Sequence, residues 1–292
     1  MRKLTTQLLL LTSLVLTSCA SSKIVELGGK ASTKGAEVSQ KGVDIYTTLA
    51  NQTGIDKSQQ DKVKVLTNPN PAGMALPDTK AQDFSKQIEP RIKAYKSLMN
   101  VYKKFALLTD SKFSDKTQEA VSALQDSYNA IEKLPDLPDV VKSKLPEVSK
   151  MISQSVQAKK VRVHNQILYN LSQLYLTLWN ADLPSWDSYI ERVYDDYANS
   201  LNTVDPKRYD AKKISQDNKE PFSDDATVIL MYRLRNRDEI MNQKNQLKKE
   251  LGDFEKALEE LTKMHSEIAK EKADLTDITS SINKIEELLK EK

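Results

Sequence analysis

The sequence predicts an all-α protein, an elongated helical bundle with a long C-terminal coiled-coil-like helix. Three observations carry that expectation. Glycine is nearly confined to the N-terminal quarter: Gly28, Gly29, Gly35, Gly42, Gly54 and Gly73 precede a long remainder that holds only Gly252. Sheets and phosphate-facing loops need glycine for tight turns, so a stretch this poor in it favours helices joined by Pro-, Asp-, Ser- and Asn-containing turns. Apolar residues also recur in steps of three and four, which keeps them on one helix face. Finally, 292 residues with 39% apolar content can bury a real core in one or two domains. The balance of 44 basic and 41 acidic residues, net +3, gives no electrostatic footprint for nucleic acid. A single cysteine excludes an intrachain disulfide framework and a cysteine-cluster metal site.

Residues 1–18 read as a signal peptide. Arg2 and Lys3 form a positive start, and Leu8 to Leu16 form an apolar run interrupted by Thr12 and Ser13. That run is about half the ~20 residues needed to span a bilayer, so it fits a targeting segment better than a transmembrane helix. It ends in Leu16-Thr17-Ser18-Cys19: a branched aliphatic residue, two small residues and the chain's one cysteine. This resembles the lipobox of bacterial lipoproteins, over residues 1–20 alone. The resemblance implies that the Cys19 thiol receives diacylglycerol, that the chain is cut before Cys19, and that the new amino group is acylated. Two or three acyl chains on one residue anchor stably, at about 0.8 kcal/mol per buried methylene. Within the same family an aspartate after the cysteine marks inner-membrane retention, so Ala20 implies the outer membrane of a Gram-negative host. Cleavage would also remove Arg2 and Lys3, and with them most of the +3.

Residues 19–54 then form the anchor, a short tether and a first helix. Its seam is Ile24, Leu27, Ala31, Gly35, Val38, Gly42, Ile45 and Leu49. Glycine costs about 1 kcal/mol against alanine inside a helix, so Gly35 and Gly42 point to a face built for close approach of another helix. Gly54 is placed as a C-cap. Residues 55–78 are irregular: Lys57 to Leu66 could hold a short helix, but the Asn-Pro-Asn-Pro run from Asn68 and Pro77 break it.

Residues 79–204 are expected to be a helical bundle. One helix runs from Thr79 to Leu108 on Phe84, Ile88, Ile92, Tyr95, Met99, Tyr102 and Phe105, with Pro90 marking a kink or a new start. A second runs from the N-cap Ser114 to Leu134. A third, with Pro146 in its first turn, extends to Leu183, and Pro184 starts a fourth that ends near Pro206. The stretch Val163–Leu183 carries no formal charge except Asp182. A membrane-inserting segment from Ile167 to Trp179 is one reading. The interspersed Asn165, Gln166, Asn170, Ser172, Gln173 and Asn180 favour a buried central helix instead.

A polar linker covers 205–222. Residues 223–292 follow as a long C-terminal helix or a helical hairpin, capped by Ser223, Asp224 and Asp225. The seam is Leu247, Leu251, Phe254, Leu258, Leu261, Met264, Ile268, Glu271, Leu275, Ile278, Ile282, Ile285 and Leu289. Two consecutive steps of three around Leu261 read as a stammer in a coiled-coil repeat. Asp274 to Ser281 is rich in β-branched and cap-type residues, so a break or hairpin there is the alternative to a continuous helix.

No residue pattern points to catalysis, a cofactor or a metal. His164 and His265 lack a second histidine or cysteine at ligand spacing, and are expected on a polar rim and on flanking surface. The pairs Asp195-Asp196 and Asp224-Asp225 diverge by about 100° on a helix, and Arg233, Arg235 and Arg237 spread around one. Trp179, Trp186, Tyr189, Tyr194 and Tyr197 read as core packing at a helix corner, with a glycan cleft as the alternative. The expected function is therefore a non-catalytic, membrane-anchored envelope lipoprotein that acts as a structural or adaptor protein. Cys19 is the lipid attachment. Its partners would be the membrane and other envelope proteins, or a second copy of itself. The interaction seams would be Gly35 and Gly42, then Leu247, Leu251, Phe254, Leu258, Leu261, Ile268, Leu275, Ile282 and Leu289. An immunity or exclusion lipoprotein and a helical membrane-active protein are the alternatives.

Overall fold

The computed structural model describes residues 23–52, 79–108, 143, 161–203, 225–270 and 272–290. Among these residues the fold is helical, with no strand. Helix α1 covers 23–52, α2 Thr79–Leu108, α3 Val161–Thr203, α4 Asp225–Ala269 and α5 Leu275–Lys290. The signal segment, Cys19, the irregular stretch 55–78, the helix expected over Ser114–Leu134, the start of the next one and the linker 205–222 lie outside the described residues. Two compact units share the helices. The first comprises Met1–Tyr46, Glu89–Ala181 and Asp253–Lys292, the second Thr47–Ile88 and Asp182–Gly252.

The first unit is organised by rings lying on a helix backbone. A Cβ placed on Gly35 would sit 2.3 Å from Cδ1 and Cε1 of Tyr102. One placed on Gly42 would sit 2.6 Å from Cδ1 of Tyr95 and 2.9 Å from Cζ of Phe254. A methyl group at either position would force the facing ring to shift. The glycines are seven residues apart, and so are the tyrosines, in opposite order, so α1 and α2 run antiparallel. The same face buries Leu27, Ala31, Val38 and Ile45, as the seam predicts. Ser32 and Ser39 are buried beside it, and their hydroxyls donate to the carbonyls of Gly28 (2.9 Å) and Gly35 (2.6 Å). That satisfies them locally and leaves the face free of unpaired hydroxyls.

The first part of helix α3 is the central element of this unit, as the scarcity of charge over Val163–Leu183 suggests. No residue from Asn165 to Trp179 is exposed. The Tyr175 hydroxyl donates to the Ala94 carbonyl at 2.6 Å, and its ring meets Tyr95 edge-on at 5.0 Å. Trp179 meets Tyr46 of α1 at 6.0 Å and Phe254 of α4 at 4.8 Å, both edge-on. Such perpendicular ring pairs add about 0.5–1.5 kcal/mol each beyond the area they bury. Within this unit the contacts set α2 antiparallel to α1, α3 antiparallel to α2 and α4 antiparallel to α3.

The C-terminal helix is not continuous. Helix α4 stops at Ala269, and α5 folds back on it. Ser281 donates to Glu260 at 2.8 Å, and Lys284 pairs with the same carboxylate at 2.9 Å. In a continuous helix Glu260 and Lys284 would be about 36 Å apart at 1.5 Å per residue. The turn is made by Asp274, whose Oδ1 accepts from the backbone N–H groups of Thr276 (2.8 Å) and Asp277 (3.3 Å). This N-cap starts a new helix where the heptad pattern alone would continue the old one. Ile278, Ser281, Ile282 and Ile285 form the buried face of α5.

Pro184 does not start a helix either: it lies inside α3, as Pro90 lies inside α2. Proline at 184 deprives the Asn180 carbonyl of its partner. Asn180, Ala181, Pro184 and Ser185 are all exposed, so water can reach the interrupted turn. Buried residues on both sides, such as Leu178, Trp179, Trp186 and Ile190, hold the helix.

In the second unit, Trp186, Tyr189, Ile190 and Val193 of α3 are buried, as are Ile240, Leu247 and Leu251 of α4. Both tryptophans and Tyr189 and Tyr194 are therefore core, each in its own unit, and the core-packing reading holds for them.

Gly35→Ala and Gly42→Ala are expected to lose about 1–3 kcal/mol each through overpacking against the tyrosine rings. Gly252 has nothing within 4 Å of a built Cβ, so Gly252→Ala should instead gain about 0.5–1 kcal/mol. Urea midpoints of the three variants check the contrast; equal stability of Gly35→Ala and the parent chain would remove the seating of Tyr102 on α1.

Candidate functional site

Two polar constellations stand out among the described residues. The first is a charged ladder in the second unit. Asp187, Glu191 and Asp195 recur every four residues on one face of α3, and Lys244 and Lys248 do so on α4. Lys248 pairs with Asp187 at 3.1 Å and with Glu191; Lys244 pairs with Glu191 and, at 2.9 Å, with Asp195. Glu191 thus bridges both lysines. The hydrogen bonds from Lys244 and Lys248 hold its carboxyl down at about 2. The bonds that Lys244 donates to Asp195 and Glu191 raise its own pKa in turn. Lys244 is buried because it occupies a seam position between Ile240 and Leu247; its methylenes pack while its ammonium reaches the carboxylates.

The second constellation lies in the first unit. His265 is fully buried, with Nδ1 2.8 Å from Oδ1 of Asn165 on α3. Its ring stacks on Tyr102 of α2, centroids 5.5 Å apart and planes 18° from parallel. His265 Nε2 and the Tyr102 hydroxyl find no hydrogen-bond partner among the described residues. Burial lowers the imidazole pKa to about 3 and drives that of the Tyr102 phenol far up, so both are neutral near pH 7.

His265 was expected on flanking surface, and the structure corrects this. With His265 in the seam, Leu258, Leu261, His265 and Ile268 step by three, four and three. Met264, which the seam named, is fully buried as well, so the helix turns two adjacent residues inward at this point. His164 and the arginines 233 and 235 have side chains outside the described ones, and Arg237 is exposed.

The seams assigned to partners are largely spent inside the chain. Gly35 and Gly42 lie under tyrosine rings. Leu247, Leu251, Phe254, Leu258, Leu261, Ile268 and Ile282 are buried, and Leu275 and Leu289 are half-buried. A helix face covered by its own chain is not open to another protein. Ile167 to Trp179 is likewise enclosed in the first unit. No described helix is long and apolar enough to cross a membrane, and no group of three or more described His, Cys, Asp or Glu residues could hold a metal.

Chemically, both constellations join helices: one by ion pairs, the other by an amide–imidazole bond and a ring stack. No known protein family matches the chain, and neither a characterised protein nor a solved structure does.

The ladder sets an acid dependence. Glu191 has a depressed carboxyl pKa in the fold, so its contribution is full above the ordinary value near 4.5 and is lost as pH falls toward about 2. Urea midpoints taken from pH 5 to pH 2 should fall less steeply for Glu191→Gln than for the parent chain. Parallel curves would mean that the bridge adds nothing to stability.

Proposed function

We propose that this protein is a non-catalytic, lipid-anchored bacterial envelope protein that acts as a structural or adaptor component. The observation that supports this reading is Leu16-Thr17-Ser18-Cys19, behind a positive start and an apolar run, with the chain's one cysteine in the final position. Acyl chains on Cys19 would hold the helical body at a membrane surface, the outer membrane in a Gram-negative host. Two chains suffice for stable attachment where one does not.

The mechanism would be tethering. Anchoring a helical protein raises its effective concentration for proteins at the same surface. Because the apolar seams are used internally, envelope partners would meet the polar outer faces of the helices. An interface of that kind is more polar than an obligate one and suits reversible association.

The test is Cys19→Ser. It should abolish incorporation of a fatty-acid label and move the protein from the membrane to the soluble fraction. Unchanged labelling and fractionation would overturn the anchor. Crosslinking in intact envelopes, followed by capture of the full-length protein, tests the adaptor role: defined envelope proteins should be recovered with the parent and lost with Cys19→Ser.

A further inference from the structure

The His265 cluster has a property that its role in packing does not use. In the arrangement shown, Asn165 presents its carbonyl oxygen to Nδ1, so Nδ1 carries the proton and donates it. Nε2 then holds a lone pair in a fully buried position with no partner among the described residues. A proton arriving at Nε2 creates a cation and a donor at once, and among the described residues no acceptor faces the new N–H.

The groups around the imidazole do not relieve that charge. Helix α2 contributes Tyr102, whose phenol stays protonated because burial raises its pKa. Helix α3 contributes Asn165, which does not titrate. On α4 itself Lys263 is exposed, and Glu267 is paired with Lys270. Helix α1 reaches the cluster through Gly35 beneath the Tyr102 ring. Its neighbouring Lys34 is paired with Glu37 at 2.8 Å and with Glu286 of α5 at 3.0 Å. Burial alone accounts for the lowered basicity of His265, with no carboxylate in opposition. The Tyr102 ring face attracts a cation, but the shift is downward, so desolvation is the larger effect.

We propose that His265 is an acid-triggered release built into the first unit. A solvent proton taken up at Nε2 drives the imidazole out from between Tyr102 and Asn165 and loosens α4 from α2 and α3. The direction follows from linkage. The folded chain keeps His265 neutral while the unfolded chain protonates it near the ordinary value of 6.5, so the unfolded state binds the extra proton. Stability is full above that value and declines as pH falls below it. The decline approaches tenfold in the folded-to-unfolded ratio per pH unit. Between pH 6.5 and 5 ordinary carboxylates remain ionised, so this window isolates the histidine.

The experiment follows urea unfolding of the full-length protein by circular dichroism from pH 7.5 to 5. The parent chain should lose about 30-fold in its folded-to-unfolded ratio across that range. His265→Gln, which keeps a neutral side chain able to bond Asn165, should lose several-fold less, while His164→Gln should retain the full loss. The same loss in His265→Gln as in the parent overturns the proposal, as does its disappearance in His164→Gln alone. A measurement on the parent chain covers the case in which His265→Gln does not fold. With the two histidines isotopically labelled, nuclear magnetic resonance should show one imidazole still neutral at pH 5 in the folded chain. Titration of both near 6.5 with the fold intact overturns it.

Discussion

The structure depends on the contact between two tyrosine rings and two glycines. Tyr102 and Tyr95 can lie against α1 because Gly35 and Gly42 present backbone and nothing more. Each glycine weakens its own helix by about 1 kcal/mol, and the packed aromatic surface it admits offsets that cost. Once the rings are seated, much else is determined. Tyr95 lies 5.6 Å from Tyr46 and from Phe254 and 5.0 Å from Tyr175, so one residue joins α1, α2, α3 and α4. Tyr102, one heptad further on, forms the floor beneath His265. The polar cluster thus rests on the same close approach as the apolar core.

Much of the fold was legible because burial writes a period into the chain. The seam from Leu27 to Leu49 marked α1, and its small residues marked a close neighbour, although they did not say which residue would fill the space. The bounds of α2, Thr79 to Leu108, and the central position of α3 followed from apolar spacing and from the scarcity of charge. The departures have local physical causes. Pro184 reads as a boundary when only the missing hydrogen bond is weighed, but the interrupted turn is exposed and buried residues flank it. The heptad carried the last helix through residues 270–274, although Asp274 had the side chain to cap a new one. There a single capping carboxylate outweighed a repeat.

The polar constellations were harder to read, for a different reason. Lys244 stands in the row Ile240, Lys244, Leu247, Leu251, and a charge in an apolar row signals a pairing. The acids at 187, 191 and 195 announce a one-sided face with equal clarity. That the two faces meet depends on the register between α3 and α4, which periodicity along either helix does not contain. His265 was missed more simply, because a seam drawn from apolar residues alone skips a buried polar one. Residues Leu16 to Cys19 differ from both. Their meaning lies in a short ordered pattern, and it is independent of how the helices pack.

The fold-back of α5 has a consequence for how the chain assembles. Glu260 meets Ser281 across a separation of only 21 residues. The ion pair between Lys34 and Glu286 spans most of the chain's length. Closing a longer loop costs more chain entropy, and rich local contacts speed folding. Among the described helices, the hairpin of α4 and α5 is therefore the cheapest pairing to nucleate during synthesis or refolding. Helix α1 can meet Tyr95 and Tyr102 once α2 is made, but its ion pair through Lys34 must wait for Glu286 on the last helix to emerge.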